Sequence, residues 1–218
     1  FLLLTCGSSK ILLKLDQFVK FKMLQFKMEN NTRKNLIDSA FSEIYSNGYQ
    51  GASLTTILKN AKVHKGSMYH FFENKKDMAL VCIKEKIYER FVQRYSLILA
   101  LESGYLEAFI DGLKDTSQRD FNKGCPIANI VQEMSNIDED FKVLMEEIYQ
   151  SFRKNIKDIL DTAIQKNEMK ECDTRKLALY IASTIEGAIL SAKATQNIQD
   201  YVDVIDILSS YIMSFKKS

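Results

Sequence analysis

The stretch from Ser53 to Asp77, SLTTILKNAKVHKGSMYHFFENKKD, constrains the fold of this chain more than any other. Ser53 suits an N-cap, and Leu54, Ile57, Leu58 and Ala61 share one apolar stripe at helical spacing. The stripe breaks at Lys62-Val63-His64, after which a second short helix is predicted from about Lys65 to Phe72. Met68, Phe71 and Phe72 give that helix an apolar side, leaving Lys65, Ser67, Tyr69 and His70 on or near the other. Two short helices joined by a three- or four-residue turn, the second rich in polar and basic groups, form the helix-turn-helix pattern.

The longer run GYQGASLTTILKNAKVHKGSMYHFFENKKDM, Gly48 to Met78, resembles the DNA-binding signature of TetR-type transcriptional regulators. Its Ser53, Ile57, Ala61, Val63, Gly66, Tyr69, Phe72 and Lys75 match the family's spacing without insertion. Two positions depart from the pattern. Leu58 stands where a small residue is common, and Lys62 stands where the turn usually has Gly, so the left-handed conformation there would come at some cost. GCPIANIVQEMS (Gly124 to Ser135) and EGAILSAKATQN (Glu186 to Asn197) resemble, less specifically, a subgroup of TetR-type C-terminal domains. Together the resemblance covers about residues 30 to 216.

With 218 residues, one proline, eight glycines, no tryptophan and 46% hydrophobic residues, the chain suits a mostly helical globular protein with a proper core. A formal net charge of +2 says little about partners, but its distribution says more. Between Lys59 and Lys76 lie five lysines, a single acid (Glu73) and both histidines, His64 and His70. A charge run is ordinarily a solvated helix face; coincidence with the helix-turn-helix makes a footprint for phosphates the better reading. Cys6, Cys82, Cys125 and Cys172 are scattered without metal-like spacing, which fits a reduced cytoplasmic protein. No apolar run reaches transmembrane length.

In chain order, residues 1–27 are set apart as an extension of unknown role, native or not, because Met28 sits just before the first motif helix. A basic arm touching DNA is the functional alternative. Residues 28–76 are expected to form a three-helix DNA-binding domain, its first helix running from Thr32 to Asn47 and stopped by Gly48. Residues 77–218 would form a helical ligand-binding and dimerisation domain, so the fold class is all-α. One long helix is predicted from Lys76 to about Leu101, with the stripe Leu80, Val81, Ile83, Ile87, Phe91 and Leu97. Further helices are predicted at Tyr105 to Leu113, from Pro126, and after Asp138-Glu139-Asp140, the last with a stripe from Phe141 to Ala163. The last two helices are an almost wholly apolar one, Leu177 to Thr195, and a heptad-like one, Tyr201 to Phe215. One short chain has few partners left to cover both, which points to a self-complementary interface.

The resemblance implies a homodimer joined through those last two helices, a pseudo-palindromic double-stranded DNA partner and a small-molecule effector. On it, Tyr69 and Lys75 would grip phosphates, and Ser53 would cap its helix and touch one as well. Thr55, His64, Lys65, Ser67 and His70 are candidates for groove contacts. Tyr105, Phe109, Met134, Met145, Tyr149 and Phe152 are candidates for the effector pocket, though core packing explains each equally well. An enzyme is a poor fit, since both histidines lie in the helix-turn-helix and no phosphate loop or nucleophile motif is present. No metal site and no cofactor are expected. The alternatives are a thiol-responsive regulator sensing through Cys125, placed at a helix start where a thiolate would be favoured, and a helical interaction protein without DNA binding.

Overall fold

The structure, a computed structural model, describes residues 6–117 and 119–217, with side chains from residue 29 onward except 89–91. The described residues form helices joined by turns and loops, with one antiparallel β-bridge among them, between Met169 and Lys216.

Helix α1 (Cys6–Gly51) buries Leu36, Ile37, Ala40 and Ile44 against the two short helices that follow. It starts well before the predicted Thr32, and its backbone crosses residue 28 without a break; the side chains of the extension lie outside the described residues. Helical geometry does fail at Gly48, whose φ of 74° and ψ of 169° belong to a region that essentially only glycine occupies. Helix α2 (Leu54–Ala61) begins at Ser53, whose Oγ accepts from the Thr56 N–H at 3.3 Å. It ends at Lys62 in the left-handed conformation, φ 57° and ψ 41°. There Val63 N–H donates to the Leu58 carbonyl and Lys62 N–H to the Lys59 carbonyl, the paired bonds of a Schellman cap. Helix α3 (Lys65–Met68) is shorter than the predicted segment to Phe72. After Met68 the chain passes into turns, because Phe72 is buried in the core and Asn74 already caps the next helix through the Asp77 N–H.

The long connecting helix has three parts: α4 (Lys75–Ile83), a π-helical segment Lys84–Tyr88, and α5 (Glu89–Leu99). Its buried side is Cys82, Ile83, Ile87, Tyr95 and Ile98, whereas Leu97 of the predicted stripe is 69% exposed. At about 100° per residue, Ile98 falls roughly 20° from the direction of Ile87 and Leu97 roughly 80° to one side. Phe91 lies outside the described side chains.

Helices α6 (Tyr105–Lys114), α7 (Pro126–Met134), α8 (Glu139–Gln165), α9 (Thr174–Thr195) and α10 (Ile198–Met213) build the C-terminal domain. The stripe read along α8, from Phe141 to Ala163, is buried as predicted. Helix α9 is, by length and composition alone, apolar enough to cross a membrane, contrary to the sequence reading. Here it packs against α8 and α10, with Leu177, Ile181, Ile185 and Ile189 inward. Its outward side is not polar: Leu179, Tyr180 and Leu190 are exposed, as are Ile207 and Tyr211 of α10.

Candidate nucleic-acid interface and cavity

The helix-turn-helix separates its two kinds of side chain cleanly. Ile57, Ala61, Met68 and Phe72 are buried, while Ser53, Thr55, His64, Lys65, Ser67, Tyr69 and His70 are exposed. Seven of the eight predicted contact residues therefore share the solvent side of one small unit. Tyr69 is 52% exposed, an unusual position for a ring in a domain this well packed. Lys65 opens α3 and His64 precedes it without capping it by its side chain. Lys59, Asn60 and Lys62, which the sequence reading did not single out as contacts, are exposed alongside. Gly66 is informative in another way: a Cβ built there meets nothing within 4 Å, so the fold itself does not ask for glycine. A missing side chain on an exposed face lets another surface come close.

Lys75 differs from the other seven. Its ammonium donates to the Tyr49 carbonyl at 2.7 Å and lies 4.7 Å from the centre of the Tyr49 ring. Burial lowers its pKa below the usual lysine value. In the free protein this lysine ties the start of α4 to the end of α1.

Among the described residues, a cavity of about 650 Å³ lies between α5, α6, α8, α9 and the loop ahead of α7, with Phe41, Ser42 and Tyr45 of α1 completing its wall. Of the six candidates for an effector pocket, Phe109 and Phe152 line it; Tyr105, Met134, Met145 and Tyr149 do not. Tyr105 is turned away because its hydroxyl donates to the Leu101 carbonyl at 2.6 Å. Met134 and Met145 are core residues on other faces of α7 and α8, and the Tyr149 ring stands edge-on to Phe152. In their place the wall has Tyr95, Arg119, Phe121, Cys125 and Glu186. Glu186 was legible in principle: it is the one acid within the apolar run LALYIASTIEGAIL.

The chemistry of that wall does not favour the thiol-sensor alternative. Cys125 is buried, and its thiol donates to Glu186 Oε1 at 3.2 Å. Burial, and after it the Glu186 carboxylate, push the Cys125 pKa far up; the backbone N–H groups at the start of α7 act the other way and lose. A neutral thiol, not a thiolate, is the stable form. Burial likewise holds the Glu186 carboxyl above the ordinary carboxylate range, and its Oε2 has no hydrogen-bond partner. The Arg119 Nε is also buried without a partner, while its guanidinium sits 5.2 Å from the centre of the Tyr201 ring.

Helix α7 joins the two regions. At its start, Cys125 and Pro126 form cavity wall. At its other end, Glu133 accepts from the Tyr49 N–H at 2.8 Å and the Gln50 N–H at 2.7 Å, holding the end of α1 just after Gly48. The Tyr45 hydroxyl adds a bond to the Gly124 carbonyl at 2.6 Å, and Lys76 pairs with Asp138 and Asp140.

Comparison with known proteins covers both regions. Residues 36–82 match the model for bacterial regulatory proteins of the tetR family. Residues 104–205 match that for the C-terminal domain of LmrA/YxaF-like transcriptional regulators. An HTH-type transcriptional regulator encoded in the lacX 3′ region of Lactococcus lactis is 29% identical over 86% of this chain and 94% of its own length. The HTH-type transcriptional repressor NemR of Escherichia coli K12 is 25% identical over 78% of this chain and 88% of its own. Among solved structures, a TetR-family regulator from Cytophaga hutchinsonii superposes with a TM-score of 0.77 at 25% identity, covering 88% of this chain and 98% of that one.

Proposed function

Because the chain belongs to the TetR family of bacterial transcriptional regulators, a family of ligand-responsive DNA-binding proteins rather than enzymes, we propose that it acts as a homodimeric repressor released from its operator by a small molecule. The observation that carries the DNA assignment is the two-sided helix-turn-helix, with seven polar or basic contact candidates exposed over a buried apolar face. In this reading Lys65, Ser67, His64, His70 and Thr55 face the major groove. Tyr69 and Ser53 hold phosphates, and Lys75 joins them with donors left over from its bond to Tyr49. The exposed apolar residues of α9 and α10, Leu179, Tyr180, Leu190, Ile207 and Tyr211, meet their counterparts in a second copy. Two recognition helices would then sit roughly 34–36 Å apart, matching half-sites of a pseudo-palindrome. The cytoplasm, where that DNA is, is the working compartment. The cavity is the effector site, and α7 carries its occupancy to the end of α1 through Glu133. Such coupling requires the effector to bind the two states with different affinity.

The test is anisotropy of a labelled fragment of the DNA upstream of the protein's own gene, titrated across a salt series with wild type and Lys65→Ala. Tight, competitor-resistant binding with a salt slope about one unit lower in the variant is expected. A folded dimer that fails to bind at low salt overturns the repressor reading for that DNA.

A further inference from the structure

The cavity wall also indicates what kind of molecule it takes, an inference that rests on reading the cavity as the effector site. At about 650 Å³ it has the size of pockets that enclose a drug-sized ligand. Most of its wall is apolar, and rings from Tyr95, Phe109, Phe121 and Phe152 supply much of it. Ring faces packed around a cavity suit a flat, ring-bearing guest.

The polar groups of the wall are few and mostly spoken for. Arg94 lies 3.5 Å from Asp115, and Lys123 lies 3.6 Å from Asp120. Cys125 spends its thiol proton on Glu186 Oε1. Of the buried polar atoms in the wall, two are left without a partner, the acceptor Glu186 Oε2 and the donor Arg119 Nε, while Ser42 and Gln93 are exposed. A buried donor or acceptor left unmade costs the full desolvation of that group, roughly 1–3 kcal/mol, so a native cavity retaining one of each is built to have them completed. Their charges are opposite. A cationic guest at Glu186 would meet the Arg119 guanidinium, and an anionic guest at Arg119 would meet the Glu186 carboxyl, with like-charge repulsion in a poorly solvated site either way. A neutral guest avoids both.

We propose that the cavity binds an uncharged, ring-bearing molecule that donates a hydrogen bond, through a hydroxyl or N–H, to Glu186 and accepts one, through a carbonyl-type oxygen, from Arg119. The Cys125 thiol then positions the Glu186 carboxyl with its second oxygen free for the guest. Because Cys125 immediately precedes α7, tightening at Glu186 pulls on the helix whose far end carries Glu133.

The experiment is isothermal titration of the full chain, without DNA, against a matched series. Its members are 4-(hydroxymethyl)benzophenone, with hydroxyl and carbonyl; benzophenone, with the carbonyl alone; 4-benzylbenzyl alcohol, with the hydroxyl alone; the cationic 4-(aminomethyl)benzophenone; and the anionic 4-benzoylbenzoate. The hydroxymethyl ketone is expected to bind at least about tenfold tighter than either charged member. Glu186→Leu should cost it about tenfold while leaving benzophenone unchanged. Arg119→Leu should cost it about tenfold while leaving the carbonyl-free alcohol unchanged. Circular dichroism and an unfolding midpoint check each variant, and Glu186→Gln serves if the leucine variant does not fold; there the anionic probe, no longer facing a carboxyl, should gain on the hydroxymethyl ketone. A charged probe binding tightest, equal losses for all probes in either variant, or no probe binding below millimolar concentration overturns the proposal. Tight, Glu186-dependent binding that never releases DNA would instead sink the effector reading and leave the ligand class standing.

Discussion

The helix-turn-helix face and the cavity wall both carry polar side chains and place them in opposite surroundings. On the face, Lys65, His64, Ser67 and Tyr69 stand in water over a packed floor, so each can be exchanged with little consequence for folding. In the wall, Cys125 is buried and Glu186 and Arg119 are half-buried, each with one polar atom, Oε2 and Nε, shut away unpartnered, and such atoms cost stability until they are partnered. Function on the face should therefore be visible in binding and silent in folding. In the wall it should be visible in folding even before a ligand is known.

The sharpest way to break that contrast is at the junction, which belongs to both regions. Gly48 has a backbone conformation that a side chain resists, and a Cβ there would lie 2.7 Å from a Glu133 carboxylate oxygen. Gly48→Ala combines backbone strain with displacement of the carboxylate that holds two N–H groups. A loss of about 3 kcal/mol in chemical denaturation is expected, together with weaker DNA binding. A variant as stable as wild type would show that α7 does not hold the end of α1.

Next in size is the wall itself. Burial raises the Glu186 carboxyl above its usual value of 4.5, so between the unfolded and folded values the native state holds the proton and the unfolded state does not. Stability then falls as pH rises through that window. Glu186→Gln removes the penalty while keeping the shape and an acceptor for the Cys125 thiol. Its unfolding free energy should exceed wild type by about 1 kcal/mol at pH 8, with the gain shrinking as pH drops toward 4.5. A gain independent of pH would mean that packing rather than ionisation sets the cost.

On the face the comparison is sharpened by Gly66. Since a methyl there meets nothing in the protein, Gly66→Ala should leave stability unchanged or raise it by roughly 0.5–1 kcal/mol. If the face closes on DNA, the same methyl should weaken operator binding several-fold. A variant with wild-type affinity would return this surface to an ordinary solvated helix side.

What was legible beforehand follows the same division. The two-sidedness of α2 and α3 and the stripe of α8 came from periodicity, which local spacing records directly. The stripe of α5 was misplaced at Leu97 because hydrophobic residues occur on several faces there and only packing selects one. The cavity was the hardest to read. Three of six aromatic or Met candidates, Tyr105, Met134 and Met145, went to the core and Tyr149 is half-buried beside it, since residues of that kind fill cores and line pockets alike. The residues that distinguish the wall, Glu186 in an apolar helix and Arg119 in a polar loop, are polar and conspicuous only against their surroundings. The inward turn of Lys75 toward the Tyr49 carbonyl joins residues far apart in the chain, and no local pattern encodes it.

Lys62 gives the smallest expected effect and tests whether the two sides of the contrast can be traded at one position. Its left-handed backbone, φ 57°, is where the family's turn usually carries glycine, and both Schellman bonds are formed regardless. A lysine there bears roughly 1–2 kcal/mol of steric cost, of which glycine would return only part because it loses more conformational freedom on folding. Lys62→Gly should therefore stabilise the protein by about 0.5 kcal/mol, read as a higher denaturation midpoint. The lysine is exposed beside the recognition face, so its loss should also lower the salt slope of DNA binding by up to about one unit. Higher stability with weaker, less salt-dependent binding would mean that this chain keeps a strained turn for the charge it carries. Higher stability with unchanged binding would leave the strain without that purpose, and the electrostatic footprint would end at Lys65.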